Sequence, residues 1–208
     1  MRDYVTADDV QTTVAAAIDA LLPAADRDWS VPAGALMWTC WETAEHIADD
    51  LFAYAVQLGP AKPSATTYVP VAWERKYDGA PAASIYAEKK AGVTGLLEVL
   101  EACGALLTAM VRVTPPEKRS FHSSGLSDVE GFAALGCVEV IAHTHDIATG
   151  LGVAWNPPQD VCERVLSRLF SDIAAGFPAA ETFLWATGRG ELPGQPRLTS
   201  WRVDATPR

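Results

Sequence analysis

The sequence predicts an all-α fold, a four-helix bundle with one long ordered loop and a short C-terminal extension. Three observations predict it. Apolar residues recur with the helical period over long stretches. Capping and stop signals bracket those stretches. No series of short alternating runs argues for strands. At 208 residues the chain fits one domain, 1–208, whose core needs neither disulfides nor a structural metal.

The first helix is expected from about Thr6 to Leu22, where Val10, Val14, Ala17, Ile18, Leu21 and Leu22 form an apolar stripe. Thr6 with Asp9 reads as its start, and Pro23 follows its end. The second runs from about Thr39 to Leu58. Thr39 and Glu42 fit a capping box there, and Gly59-Pro60 is the stop. Residues 59–83 hold four prolines but also Tyr68, Trp73 and Tyr77, so an ordered loop with room for a short strand or helical turn is expected. A third helix is expected over Ser84 to Val113, ended by Pro115-Pro116. The fourth should start at Ser127, in a capping box with Glu130, and end near Gly150-Leu151-Gly152. A fifth covers about Pro158 to Gly176, and a short sixth covers Ala180 to Thr187. The tail from Gly188 has little periodicity.

Composition bounds the partners. The apolar fraction is 49%, the charged fraction 20% and the net charge −10, with no basic cluster. Nucleic acid and anionic membrane are therefore not expected partners. No run of about 18 apolar residues occurs, so no membrane span is expected. The first residues lack an apolar signal core. Cys40, Cys103, Cys137 and Cys162 are scattered in apolar surroundings without a C-x-x-C pair. They read as small buried hydrophobes of a cytoplasmic protein.

The chemistry concentrates in two segments. In Val138-Glu139-Val140-Ile141-Ala142-His143-Thr144-His145-Asp146, a carboxylate and an imidazole stand four residues apart in an apolar run. On a helix they share a face, about 6 Å apart along the axis, able to grip one ion. His46 on the second helix supplies a third donor. Two imidazoles and a carboxylate suit zinc or a related ion and leave a position open for water or substrate. The alternative is a core hydrogen bond at His143 with Glu139 in solvent. Asp146 lies on the His143 face, placed to orient an imidazole, and Asp49 and Asp50 relate to His46 in the same way. A solvated helix face is the other reading of that aspartate pair. His145 points elsewhere, toward solvent or the rim. Loop residue His122 reads as exposed, with a pocket role as the alternative. Trp38 and Trp41 either wall a substrate pocket or belong to the core.

The segments Trp38–Leu51 and Val138–Ile147, with Leu184-Trp185-Ala186-Thr187-Gly188-Arg189, resemble the DinB-like superfamily and, within it, the N-terminal domain family of mycothiol-dependent maleylpyruvate isomerase. The resemblance implies a divalent metal, usually zinc, on His46, Glu139 and His143. It also implies a low-molecular-weight thiol such as mycothiol as cofactor. The thiolate would add to an activated double bond for isomerisation, or be transferred to an electrophile. That family carries a separate C-terminal domain; here only a short tail follows Thr187, so the domain is expected to be absent or vestigial. On this reading Asp146 and Asp50 are the candidate catalytic residues. Trp41, His122 and Arg189 are the candidates for cofactor binding. Metal-dependent hydrolysis on the same site, and non-catalytic binding of a small molecule or metal, are the other readings. A homodimer using the 59–83 loop as interface is a further one.

Overall fold

A computed structural model of the chain describes residues 3–173 and 176–208. Six α-helices are found among the described residues: α1 (Ala7–Leu21), α2 (Cys40–Leu58), α3 (Gly92–Val113), α4 (Val129–Leu151), α5 (Gln159–Leu169) and α6 (Ala179–Ala186). Two antiparallel ribbons of two-residue strands join them: β1 (Glu74–Arg75) with β2 (Ala82–Ala83), and β3 (Arg119–Ser120) with β4 (Ser127–Asp128). The expected all-α fold is the one the chain adopts. α1 and α2 each pack against both α3 and α4. No described helix is long and apolar enough to cross a membrane.

Local chemistry sets the boundaries. Thr6 and Asp9 cap α1 reciprocally, and Thr39 and Glu42 do the same for α2, as their spacing predicts. α4 is buried on nearly every side, and its polar positions are the exceptions in an apolar cylinder. At its C-terminal end the loop at Pro32 and Cys40 comes so close to Gly150 that a Cβ there would overlap the Pro32 carbonyl. Gly152 then closes the helix in the left-handed conformation, φ 65°.

Three boundaries differ from expectation. α3 starts at Gly92 rather than Ser84. The amides of Ser84 and Ile85 are taken by the Asp49 carboxylate at 2.6 and 2.9 Å, and that of Ala87 by Glu45 at 3.2 Å. Residues 84–87 are therefore held non-helical against α2, and a single 3₁₀ turn at Lys89–Ala91 leads into the helix. α4 is capped by Asp128, whose carboxylate accepts the Gly131 amide at 2.7 Å, not by Ser127. Ser127 is occupied in the β3–β4 ribbon opposite Ser120. α5 ends at Leu169 rather than Gly176, because the Leu169 carbonyl accepts the Asp204 amide of the returning tail, at 3.0 Å. The last part of the expected helix, residues 174–175, lies outside the described residues.

The tail is fastened by Arg168, which is fully buried. Its guanidinium meets the Asp128 carboxylate at 2.9 Å and lies 3.4 Å from that of Glu130, and it reaches the carbonyls of Asp204 and Ala205. The 59–91 segment is tied to α2 as well. Glu45 takes the Lys76 ammonium at 3.0 Å, Glu42 takes the Tyr77 hydroxyl at 2.6 Å, and Trp38 Nε1 donates to the Gly79 carbonyl at 3.1 Å. The loop is thus ordered, and it carries Tyr68 and Trp73 to the wall of a cavity beside α2 and α4.

Candidate metal centre

α2 and α4 pack so that His46 faces Glu139 and His143. One donor atom from each lies within 4.8 Å of the others. Glu139 Oε2 stands 3.4 Å from His143 Nε2 and 3.8 Å from His46 Nε2. The imidazoles meet edge to face with centroids 4.9 Å apart. Helical spacing explains the arrangement: Glu139 and His143 are one turn apart on α4, and His46 projects from the neighbouring helix.

A row of polar groups orients this cluster. His143 Nδ1 is 3.0 Å from Asp146 Oδ2, which fixes the ring and turns Nε2 toward Glu139. Arg189 in turn grips Asp146 with Nε and Nη2, at 2.7 to 3.1 Å. Arg189 comes from the turn after α6, where Gly188 has φ 74°. On the α2 side, Asp50 Oδ2 is 3.6 Å from His46 Nε2. Trp38 sets its indole edge to face against the His46 ring, at 4.9 Å.

The electrostatics of the protein without an ion follow from burial and these contacts. Burial, helped by the His143 charge, holds His46 down to about 4, so its ring is neutral near pH 7. His143 moves the other way: burial alone would lower it, but Asp146 and Glu139 outweigh burial and raise it. Burial would raise Glu139, yet the imidazoles and Arg189 lower it. Asp50 is pushed well above the usual carboxylate range by burial and then by the Glu139 charge. The proton of this carboxylate pair therefore resides on Asp50, and Glu139 is the anion. Tyr54 is also raised, by burial and by the same two carboxylates, and stays a neutral phenol.

The other candidate residues are distributed as follows. Asp49 neither faces solvent nor reaches His46; it is buried and holds the amides of residues 84 and 85. Arg189 spends its guanidinium on Asp146. Trp41 is buried with the Lys89 ammonium 3.9 Å over its ring, while Trp38 is the tryptophan at the histidines. His145 is partly exposed and outside the cluster. His122 is not exposed: it is buried and lines a cavity of about 390 Å³ with Asp50, Tyr54 and Glu139. A larger cavity, about 830 Å³, lies along α5 and Phe177 and has no imidazole in its wall. Tyr54 went unnoticed in the sequence. The signal was there, since His46, Asp50 and Tyr54 follow at four-residue steps along one face of α2.

All four cysteines are buried. Cys137 sits beside the α1 hydroxyl of Thr13, at 3.8 Å, and burial pushes its thiol up to about 12. Burial likewise raises Cys40 and Cys103 to about 11 and Cys162 to about 12.

The donor set fits a first-row divalent ion: two imidazole nitrogens and one carboxylate oxygen converge, and the outer nitrogen of His143 is already engaged. Among solved structures, the chain is similar in fold to the known structure of an enzyme. It is the crystal structure of the mycothiol-dependent maleylpyruvate isomerase, with a TM-score of 0.53 and 15% sequence identity over 92% of this chain and 97% of that one. At that identity the likeness establishes a related fold. No protein-family model and no curated protein matches the chain.

Proposed function

We propose that this single helical domain is a divalent-metal-dependent enzyme, with zinc the fitting ion. It would activate a low-molecular-weight thiol such as mycothiol for addition to, or transfer to, an electrophilic small molecule. The observation that carries this reading is the convergence of His46, Glu139 and His143 within 4.8 Å, with Glu139 also in the wall of the 390 Å³ cavity. The thiol part draws support from the fold shared with a mycothiol-dependent isomerase. It also draws on the cysteines, which are buried and poorly ionised, so a sulfur nucleophile has to come from outside the chain.

When bound, the ion supplies Lewis acidity that lowers the pKa of a thiol or water. The chain's own groups do the rest. His46, Glu139 and His143 form the holding set. Asp146, backed by Arg189, keeps the His143 proton on Nδ1 and frees Nε2. Asp50 stores a proton beside Glu139 and is placed to exchange it with a bound reactant. Trp38 closes one side of the imidazole pair against water.

The test is metal content per chain, on protein purified without added metal or chelator. One zinc or similar ion per chain is expected in the wild type. Glu139→Ala should lose it while keeping its helical circular dichroism. A wild type that takes up no ion even after reconstitution with several divalent metals defeats the proposal. With cobalt in place of zinc, an added small thiol should shift the visible spectrum. A cobalt protein blind to thiols yet active on esters or amides points to hydrolysis instead.

A further inference from the structure

The side of the bundle away from the metal cluster carries an exposed apolar face. Around the bundle the helices follow in the order α1, α3, α2, α4, so the α1–α3 side lies opposite the α2–α4 side that holds the cluster. On α3 the outward positions Val99, Ala102, Leu106, Ala109 and Val113 are all apolar. Their alternating steps of three and four residues are those of a heptad seam, the pattern of a helix that packs on another helix. Leu106 is 41% exposed and Val113 72%. The core does not account for them, because a separate face of α3, with Leu96, Leu100 and Leu107, is the buried one. α1 widens the surface: Ala15 and Leu22 are exposed, and Ile18 is half-buried. A groove of about 270 Å³ runs between the two helices.

Charge on this face is sorted by sign. The two helices run antiparallel, since Val14 packs on Gly104 and Asp8 pairs with Arg112. Asp19, Glu98 and Glu101 stand exposed toward one end, and none has an ion-pair partner among the described residues. Arg112 stands at the other end. Its Nη2 donates to Asp8 at 2.6 Å and to Gln11 at 2.9 Å. Both bonds use one nitrogen, which leaves Nε and Nη1 of an exposed guanidinium open to a carboxylate from outside.

We propose that this face binds a second copy of the chain, with the two α3 helices antiparallel about a two-fold axis at Leu106. The seam is symmetric about that residue. Leu106 meets its own copy, Ala102 faces the partner's Ala109, and Val99 faces the partner's Val113. Alanines at the crossing let the helix axes approach to about 8 Å. The same rotation sets Glu98 and Glu101 against the partner's Arg112, and does so twice because the contact is isologous. A parallel pair would align Glu98 and Glu101 with their own copies, where like charges repel. Spacing and charge are thus both self-complementary, in one orientation only. The seam is about 21 Å long and two helices are about 20 Å wide, so each copy covers on the order of 400 Å². That is less than a permanent pair buries and fits a reversible one in the micromolar range. The surface is distinct from the 59–83 loop, and it leaves both metal clusters on the outer sides of the pair.

Sedimentation equilibrium of the full chain, from about 1 to about 300 µM, should show monomer and dimer in exchange. Leu106→Glu brings two carboxylates together at the axis and should weaken the dimer about ten-fold or more. Its circular dichroism and metal content should match the wild type, since the cluster is on the opposite side. Arg112→Glu should also weaken self-association, as should Glu98→Arg combined with Glu101→Arg. An equimolar mixture of those two variants should pair at least as tightly as the wild type, because only the mixed pair has opposite charges at both ends. A wild type that stays monomeric throughout overturns the proposal. A dimer indifferent to Leu106→Glu lies on another face and overturns it as well, and a mixture that stays monomeric overturns the antiparallel pairing. If Leu106→Glu loses its helical circular dichroism, the charge variants, all at exposed positions, decide the matter. A wild type without metal defeats the metal reading and leaves this one standing, since the face holds none of the ligands.

Discussion

Asp146 is the residue on which the cluster's geometry turns, because it links the His143 ring to Arg189. Asp146→Asn keeps the shape but removes the charge that holds the imidazole tautomer. It should weaken metal affinity by about 10- to 100-fold with little change in folding, read by competition with a chelator. Arg189→Lys should weaken it in the same direction, since one ammonium cannot reproduce the two-pronged grip. The histidines also make opposite contributions to acid stability in the metal-free protein. His46 has a folded pKa of about 4 against an ordinary 6.5, so the unfolded chain binds its proton first. Stability is therefore lost as pH falls from 6.5 toward 4, on the order of 3 kcal/mol for this ring. His143, raised in the folded state, contributes stability below 6.5 that disappears as pH rises through its folded value. Urea unfolding in chelator at pH 4.5 and 7 should show a smaller acid loss for His46→Gln than for the wild type. At this scale the sequence was readable where one helix carries two partners, as with Glu139, His143 and Asp146. It was not readable for Trp38 or His122, whose placement depends on loops that only tertiary contacts arrange.

Among the elements, α2 does double duty. One face presents His46, Asp50 and Tyr54, and another presents Glu42, Glu45 and Asp49 to the 59–91 segment. Asp49→Ala would leave the amides of Ser84 and Ile85, in the irregular segment before α3, without acceptors, at a cost of about 2 kcal/mol or more. Hydrogen exchange at Ser84 and Ile85 should speed up well before the helices open. This is also why the start of α3 escaped the sequence. The run from Ser84 has helical character by composition, and it is carboxylates on a different helix that draw its amides away. The starts of α1 and α2 were legible because their capping boxes are local. Ser127 misled because its spacing to Glu130 is equally local, while its pairing with Ser120 is not.

For the whole molecule, Arg168 joins the start of α4, the end of α5 and the C-terminal tail. Arg168→Ala should cost about 3 to 5 kcal/mol in chemical denaturation, since it strips the buried Asp128 of its partner. The tail and the 122–125 turn should loosen together, because Ala205 and Ser124 share a hydrogen bond. The helical class of the fold was visible from periodicity alone. The return of the tail onto α5 and the 122–125 turn was not, since neither segment has a repeat and both are held by bonds to residues far away in sequence. The concealment of the four cysteines has a consequence of its own. Thiolates are the side chains that alkylating compounds consume first, and here all four thiols are buried and held protonated. In the native state iodoacetamide should leave all four thiols unlabelled while a small thiol in the same solution is exhausted, so the folded chain outlasts a reagent that destroys free thiols.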